Sequence, residues 1–192
     1  MMRFILVGIL VLMAAVVGVM TFNWYRTIYG GQPYGGAFEL VDHTGAPITQ
    51  AAFRGQPTAL FFGFTHCPEI CPTTLYEMDG WLKTLGADGA DIRAYFVSID
   101  PERDTPEILG DYVTAVSDRI TGITGEPEKV AAMAKSFGIY VRKVDTGGGD
   151  YTMDHTASIL LLGDDGDFAG TIAYGENADT ALAKLKRLAG KG

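Results

Sequence analysis

One run of seven residues, Thr58 to Phe64 (TALFFGF), carries no charge and gives way to turn residues just ahead of Cys67. A continuous apolar run of that length fits a strand buried on both faces of a mixed or parallel sheet, which demands a covering layer on each side. The residues that follow supply the layers. Pro72 suits a first helical position, and Leu75, Met78, Leu82 and Leu85 recur at helical spacing before Gly86. Ile92 to Ile99 reads as a second buried strand, followed by a helix start at Thr105-Pro106 with Ile108, Tyr112 and Val116 on one face. A further helix fits Glu126 to Phe137, with Val130, Met133 and Phe137 inward and Gly138 as its stop. Strands are expected at Ile139 to Val144, Ser158 to Leu162 and Phe168 to Tyr174, with Gly163 to Asp167 (GDDGD) as the turn between the last two. The last helix starts near Ala178 and buries Leu182, Leu185 and Leu188. Strands and helices in alternation, closing on a hairpin and a terminal helix, imply an α/β sandwich.

The amino end follows different rules. From Phe4 to Phe22 there is no charged residue, and at 1.5 Å per helical residue the run extends about 28 Å, close to a hydrocarbon core of roughly 30 Å. A retained membrane anchor is expected; a cleaved signal peptide fits less well, because its apolar region is usually about 7 to 15 residues and no small-x-small site follows here. Trp24 and Tyr25 suit the interface. Arg3 is nearly balanced by Arg26 across the span, so the positive-inside rule only weakly favours an acidic domain outside the cytoplasm. With no Arg- and Ser-rich presequence, a single-pass protein of a bacterial inner membrane, its domain in the periplasm, is expected. The division is 1–26 anchor, 27–36 linker and 37–192 domain, with glycine-rich stretches at 30–36 and 146–149 as the soft joints. A net charge of −8 and a pI near 4.8 argue against nucleic acid as a partner.

The chain has two cysteines, Cys67 and Cys71, in FTHCPEICPT, where the buried strand ends and a helix begins. Free N–H groups and the positive end of the helix dipole lower a thiol's pKa there, and thiolate is what both metal binding and disulfide exchange require. A structural disulfide closing so short a loop would constrain the unfolded chain little. A redox pair usually shows Cys-x-x-Cys; the extra residue here places the two side chains at i, i+4 and leans towards one shared ion. Thiolates select copper(I), zinc or iron–sulfur clusters, and two thiolates with one imidazole suit copper. Three histidines compete for the third place. His43 sits in a polar turn and is expected to be solvated. His66, next to Cys67, points away from it on extended chain and has a surface or thiolate-tuning role. His155, in MDHTASILLL, stands in the loop before a sheet strand, at the place where thioredoxin-type enzymes carry a proline that guards the dithiol. Read from the residues alone, His155 stays open between a ligand and a satisfied loop histidine.

Three stretches, FGFTHCPEICPTT at 62–74, FVSIDPERDTPE at 96–107 and DHTASILLL at 154–162, resemble the Sco/SenC family, and FELVDHTG at 38–45 resembles its opening hairpin. The resemblance implies a thioredoxin-like fold with an inserted hairpin over Ile139 to Thr152 and copper(I) and copper(II) bound by Cys67, Cys71 and His155. It also implies a metallochaperone role in maturing the copper centre of cytochrome c oxidase. The partners implied are the oxidase's copper-bearing subunit and other copper chaperones or thiol oxidoreductases. The same two cysteines could instead reduce disulfides catalytically or serve a copper or redox sensor. In IDPERDTP, Asp100, Arg103 and Asp104 are expected mainly in turn and helix-start roles, with support of the metal site as the alternative. Met153 is expected to pack, Pro72 to shape the cysteine loop, and Asp154 is a candidate hydrogen-bond partner for an imidazole.

Overall fold

The computed structural model describes Gly8, residues 12–22, Trp24 and residues 33–190. The chain separates into two compact units, Met1–Gln32 and Pro33–Gly192. In the first, residues 12–22 are helical and exposed. The rest of the expected span from Phe4 to Phe22, apart from Gly8, lies outside the described residues, as do Tyr25, Arg26 and residues 27–32. Among the described residues no helix is long and apolar enough to cross a membrane.

The second unit is organised around β3 (Thr58–Gly63), all six residues of which are buried. It pairs in parallel with β4 (Arg93–Ser98) and antiparallel with β8 (Ser158–Leu162), so Phe61 lies opposite both Phe96 and Ile159. β5 (Ile120–Thr124) continues the parallel set beyond β4. Two hairpins finish the edges: β1 (Glu39–Asp42) with β2 (Pro47–Thr49) beside β5, and β8 with β9 (Phe168–Ala173). The strand order is β2-β1-β5-β4-β3-β8-β9. Around this mixed sheet stand α1 (Ile70–Thr84), α2 (Ala87–Ala90), α3 (Pro106–Val116), α4 (Pro127–Ser136) and α5 (Ala178–Leu188). α1 packs beside α3 and α5, while α4 packs on β1. Phe61, Phe62, Phe96, Leu75, Met78 and Phe137 are essentially inaccessible to solvent, and each such side chain contributes about 1.5–3 kcal/mol by leaving water.

Several expectations shift. Ile120–Thr124 is a strand that hydrophobic pattern does not announce, because it is short and has Gly122 at its centre. Leu109 on α3 comes so close that a Cβ on Gly122 would lie 2.7 Å from Leu109 Cγ. That seat turns α3 by one residue: Leu109 and Val113 are fully buried, whereas Ile108 is exposed and Tyr112 and Val116 are only partly covered. Both stripes of α3 are apolar, so periodicity could not choose between them. On α5 the deepest residues are likewise Ala181 and Leu185, with Leu182 and Leu188 at the margin. The glycines at 146–149 are no joint; they make the turn of a hairpin between β6 (Val141–Gly147) and β7 (Asp150–His155), with Gly147, Gly148 and Gly149 all at positive φ. This hairpin forms its own two-stranded sheet and runs three residues further than expected, to His155.

Candidate metal centre

At the end of β3 the Cys67 N–H donates to the Phe64 carbonyl at 3.2 Å, which turns the chain into α1. The helix opens at Ile70, two residues before Pro72, with Glu69 as its cap and no capping bond from the Glu69 side chain. Pro72 therefore lies within the first turn rather than at its start. The first N–H groups of a helix have no intrahelical partners. Here the Cys71 N–H points at the Cys67 sulfur, 3.4 Å away, so the sulfur takes the place of a capping oxygen at the positive end of the dipole.

Cys67 is half-buried, Cys71 is fully buried, and both are free thiols. Cys67 is drawn from 9.0 down to about 4, chiefly by the hydrogen bond from the Cys71 side chain and further by the N–H groups of Cys71 and Glu69, against the opposing effect of burial. A hydrogen bond with the His155 side chain acts in the same direction. Cys71 is pushed above the ordinary thiol range by holding its proton in that hydrogen bond and by burial. The pair thus shares one proton, with Cys67 the thiolate and Cys71 the donor.

His155 comes from the far end of the hairpin, as the last residue of β7, where it faces Val141. Its Nε2 lies 3.7 Å from Cys71 Sγ. Its Nδ1 lies 3.0 Å from the Thr156 carbonyl; a carbonyl only accepts, so in the neutral ring Nδ1 carries the proton and Nε2 turns its lone pair to the sulfurs. Phe61 and Phe64 wall the ring, with centroids 6.2 and 6.0 Å away. Cys67 and His155 line a cleft of ≈ 430 Å³ together with Pro68, Ile70, Tyr140 and Met153, and the buried Cys71 sulfur lies behind it against His155. Two soft sulfurs and one imidazole are a donor set for copper or zinc. Donors held by one ion at about 2.0 and 2.3 Å, 120° apart, stand roughly 3.7 Å from each other, the separation of Nε2 and Cys71 Sγ. Among the described residues no three His, Cys, Asp or Glu side chains are already gathered to hold an ion.

The other candidates have separate tasks. Asp104 is inaccessible to solvent and accepts from the Thr65 N–H at 3.1 Å, Thr65 Oγ1 at 2.6 Å and Ser98 Oγ at 2.6 Å, which ties the chain two residues before Cys67 to the end of β4. Burial holds its carboxyl above the usual range. Thr105, not Asp104, caps α3. Asp154 faces away from His155 and pairs with Arg142 at 2.5 Å, because neighbours on a strand point to opposite faces. Met153 packs at the margin of the core and lines the cleft. His66 is exposed beside Thr65 Oγ1. His43 is not simply solvated: its Nδ1 accepts from the Gly122 N–H at 3.1 Å and fastens the first turn to β5. Neither Tyr151 nor Gly63 stands out in the sequence. The spacing of Tyr151, Met153 and His155 was a usable signal, since i, i+2 and i+4 share one strand face.

The SCO1/SenC family model matches residues 26–190. The chain is 34% identical over 151 residues to the Protein SCO1 homolog 1, mitochondrial, of Arabidopsis thaliana, covering 78% of this chain and 45% of the relative. It spans about half the length of the curated relatives it matches. Among solved structures, Bradyrhizobium japonicum ScoI with copper bound is 42% identical with a TM-score of 0.74, over 80% of this chain and 98% of that one. BsSco, described with a disulfide switch as a member of the Sco family of cytochrome c oxidase assembly proteins, is 26% identical with a TM-score of 0.65, over 84% of this chain and 96% of that one. The mixed α/β fold is the thioredoxin-like fold of these Sco structures. A model matched along nearly the whole second unit, and a mitochondrial relative more than 30% identical over three quarters of the sequence, establish that the chain belongs to the SCO1/SenC family.

Proposed function

We propose that this protein binds copper through Cys67, Cys71 and His155 and passes it to the copper-bearing subunit of a cytochrome c oxidase during that enzyme's assembly. The observation that carries the reading is the approach of His155 Nε2 to within 3.7 Å of Cys71 Sγ, next to the Cys67 sulfur that accepts from the Cys71 N–H. The copper in the related ScoI structure is of the kind such donors select. Cys67, Cys71 and His155 would hold copper(I), with the Cys71 proton released to solvent as the metal binds, at a cleft open to an incoming ligand. The run from Phe4 to Phe22 anchors the chain in a bacterial inner membrane, residues 27–36 link it, and the second unit works on the periplasmic side. Anaerobic copper(I) titration of the detergent-solubilised chain with X-ray absorption tests the site: two sulfurs and one nitrogen per copper are expected. An unchanged affinity in His155→Ala removes the third ligand from the assignment.

A second use of the same site is favoured by the unequal thiols. The Cys67 thiolate attacks a partner disulfide, forms a mixed disulfide and releases one partner thiolate. Cys71 then gives its proton to that thiolate and displaces the second partner sulfur, leaving Cys67–Cys71 oxidised and the partner reduced. A metal-free chain that reduces the oxidase subunit's disulfide while failing to transfer copper reverses the order of the two readings.

A further inference from the structure

Among the described residues the β6–β7 hairpin pairs with no strand of the main sheet, so its angle depends on the join of His155 to β8 through Thr156 and Ala157 and on side-chain contacts with the body. Its register places Val141 opposite His155, Lys143 opposite Met153 and Asp145 opposite Tyr151. Directly paired residues share a face, and the face carrying His155 is the one turned to the body. Val141 and Met153 pack against the core from that face, but they fill only part of the space. A cavity of ≈ 670 Å³ lies between Val141, Lys143 and Met153 of the hairpin and Val130, Ala131 and Ala134 of α4.

The attachment is concentrated at Tyr151. Its hydroxyl donates to Asp100 Oδ1 at 2.7 Å, and Arg103 Nη1 donates to its carbonyl at 2.9 Å. The Arg103 guanidinium lies 3.7 Å from the Tyr151 ring centroid, and Lys143, paired with Glu102 at 2.6 Å, brings a second cation to 3.8 Å. Arg103 is itself fixed by Nε on Asp100 Oδ2 at 2.5 Å, while its Nη2 is buried without a hydrogen-bond partner among the described residues. On its other side the guanidinium approaches the Phe64 ring, 6.0 Å from the centroid, and Phe64 meets the His155 ring edge to face at 86°. One arginine therefore contacts the hairpin and lies within cation–π range of the aromatic wall of its histidine.

We propose that Arg103 and Tyr151 form a latch that sets the angle of the β6–β7 hairpin and thereby presents His155 Nε2 to the cysteines; Arg103 is a positioning residue for copper binding. The proposal rests on the reading of His155 as a ligand. Residues that orient a metal ligand typically matter about 10–100-fold in affinity, and Arg103→Gln is expected to weaken copper(I) binding about 10-fold at the lower end of that range.

The test is a cycle on the detergent-solubilised full chain, with copper(I) affinity measured against a chromophoric chelator for wild type, Arg103→Gln, His155→Ala and the double variant. The latch predicts that Arg103→Gln weakens binding in the wild-type background and has no effect in His155→Ala, while thermal unfolding changes equally in both. An equal loss in both backgrounds, or no loss in a folded Arg103→Gln, overturns the latch and leaves the ligand assignment standing. If His155→Ala alone changes nothing, the ligand assignment itself fails and the latch with it. Should Arg103→Gln not fold, Tyr151→Phe, which removes a single oxygen, runs the same cycle, and a loss independent of His155 again overturns the latch. In the metal-free chain the imidazole nitrogen resonances of His155 are expected to broaden in Arg103→Gln, and unchanged lines count against the latch.

Discussion

Gly63 stands directly against Cys71: a Cβ on Gly63 would lie 2.7 Å from the Cys71 sulfur and 2.6 Å from the Phe96 ring. The backbone there is ordinary strand, so the demand for glycine is one of space rather than of dihedral angle. Phe96 is inaccessible to solvent and cannot swing aside.

Gly63→Ala should therefore act on both fold and site. Overpacking a filled core costs about 1–3 kcal/mol, to be read from the denaturant midpoint. Displacement of Cys71 should also weaken copper(I) binding in protein that is still folded. A variant that loses stability but binds copper as before would separate Gly63 from the site.

With Cys67 held at about 4, the metal-free reduced protein should react with iodoacetamide at Cys67 at a rate that is flat from about pH 6 upward and falls only near pH 4, whereas an ordinary thiol is still titrating near pH 8–9. Cys71 should stay silent until the native state opens. In Cys71→Ala the largest cause of the low value is gone, so the midpoint of the rate profile should move up. The midpoint is the quantity to follow, because nucleophilicity itself falls with pKa and blurs the absolute rates.

Asp104 accepts three hydrogen bonds in a dry position. Asp104→Ala leaves those donors unpaired and should cost about 3 kcal/mol, measured by urea unfolding. The sign of its pH dependence is opposite to that of a salt-bridged carboxylate. Its folded value is raised above 3.8, so as pH falls through the folded value the native state takes up its proton before the unfolded chain does. This group's unfavourable contribution fades in that window. Asp104→Asn should remove that slope.

The Tyr112 hydroxyl is buried with no hydrogen-bond partner among the described residues, and burial pushes its pKa above the ordinary range. A buried hydroxyl left unpaired is a cost, so Tyr112→Phe should be neutral or stabilise the second unit by about 1 kcal/mol. Thermal unfolding checks it, and a clear loss of stability would mean that the hydroxyl has a partner in solution.

Much of the frame could be read in advance because it depends on local chemistry. TALFFGF can be little other than a doubly covered strand, and its parallel and antiparallel partners bear that out. Cys67 and Cys71 follow from their place at a strand-to-helix junction, where unpaired N–H groups meet sulfur. Ile120–Thr124 escaped because a glycine in a five-residue strand has meaning only once Leu109 is seen filling the space above it. The inward face of α3 escaped for the same reason.

Local pattern, then, determined which residues form strands and helices, and where two thiols sit at the positive end of a helix; these are matters of spacing along the chain. Tertiary structure alone decided that Cys71 keeps the proton that Cys67 gives up. It also decided that Asp154 turns away to Arg142, and that His155 reaches Cys71 from the end of a hairpin pinned by Arg103 and Tyr151. The separation of Cys71 and His155 along the chain is 84 residues, and no local propensity spans that distance. Packing, burial, the hydrogen bonds of Tyr151 and the stacking of one cation on its ring bring them together.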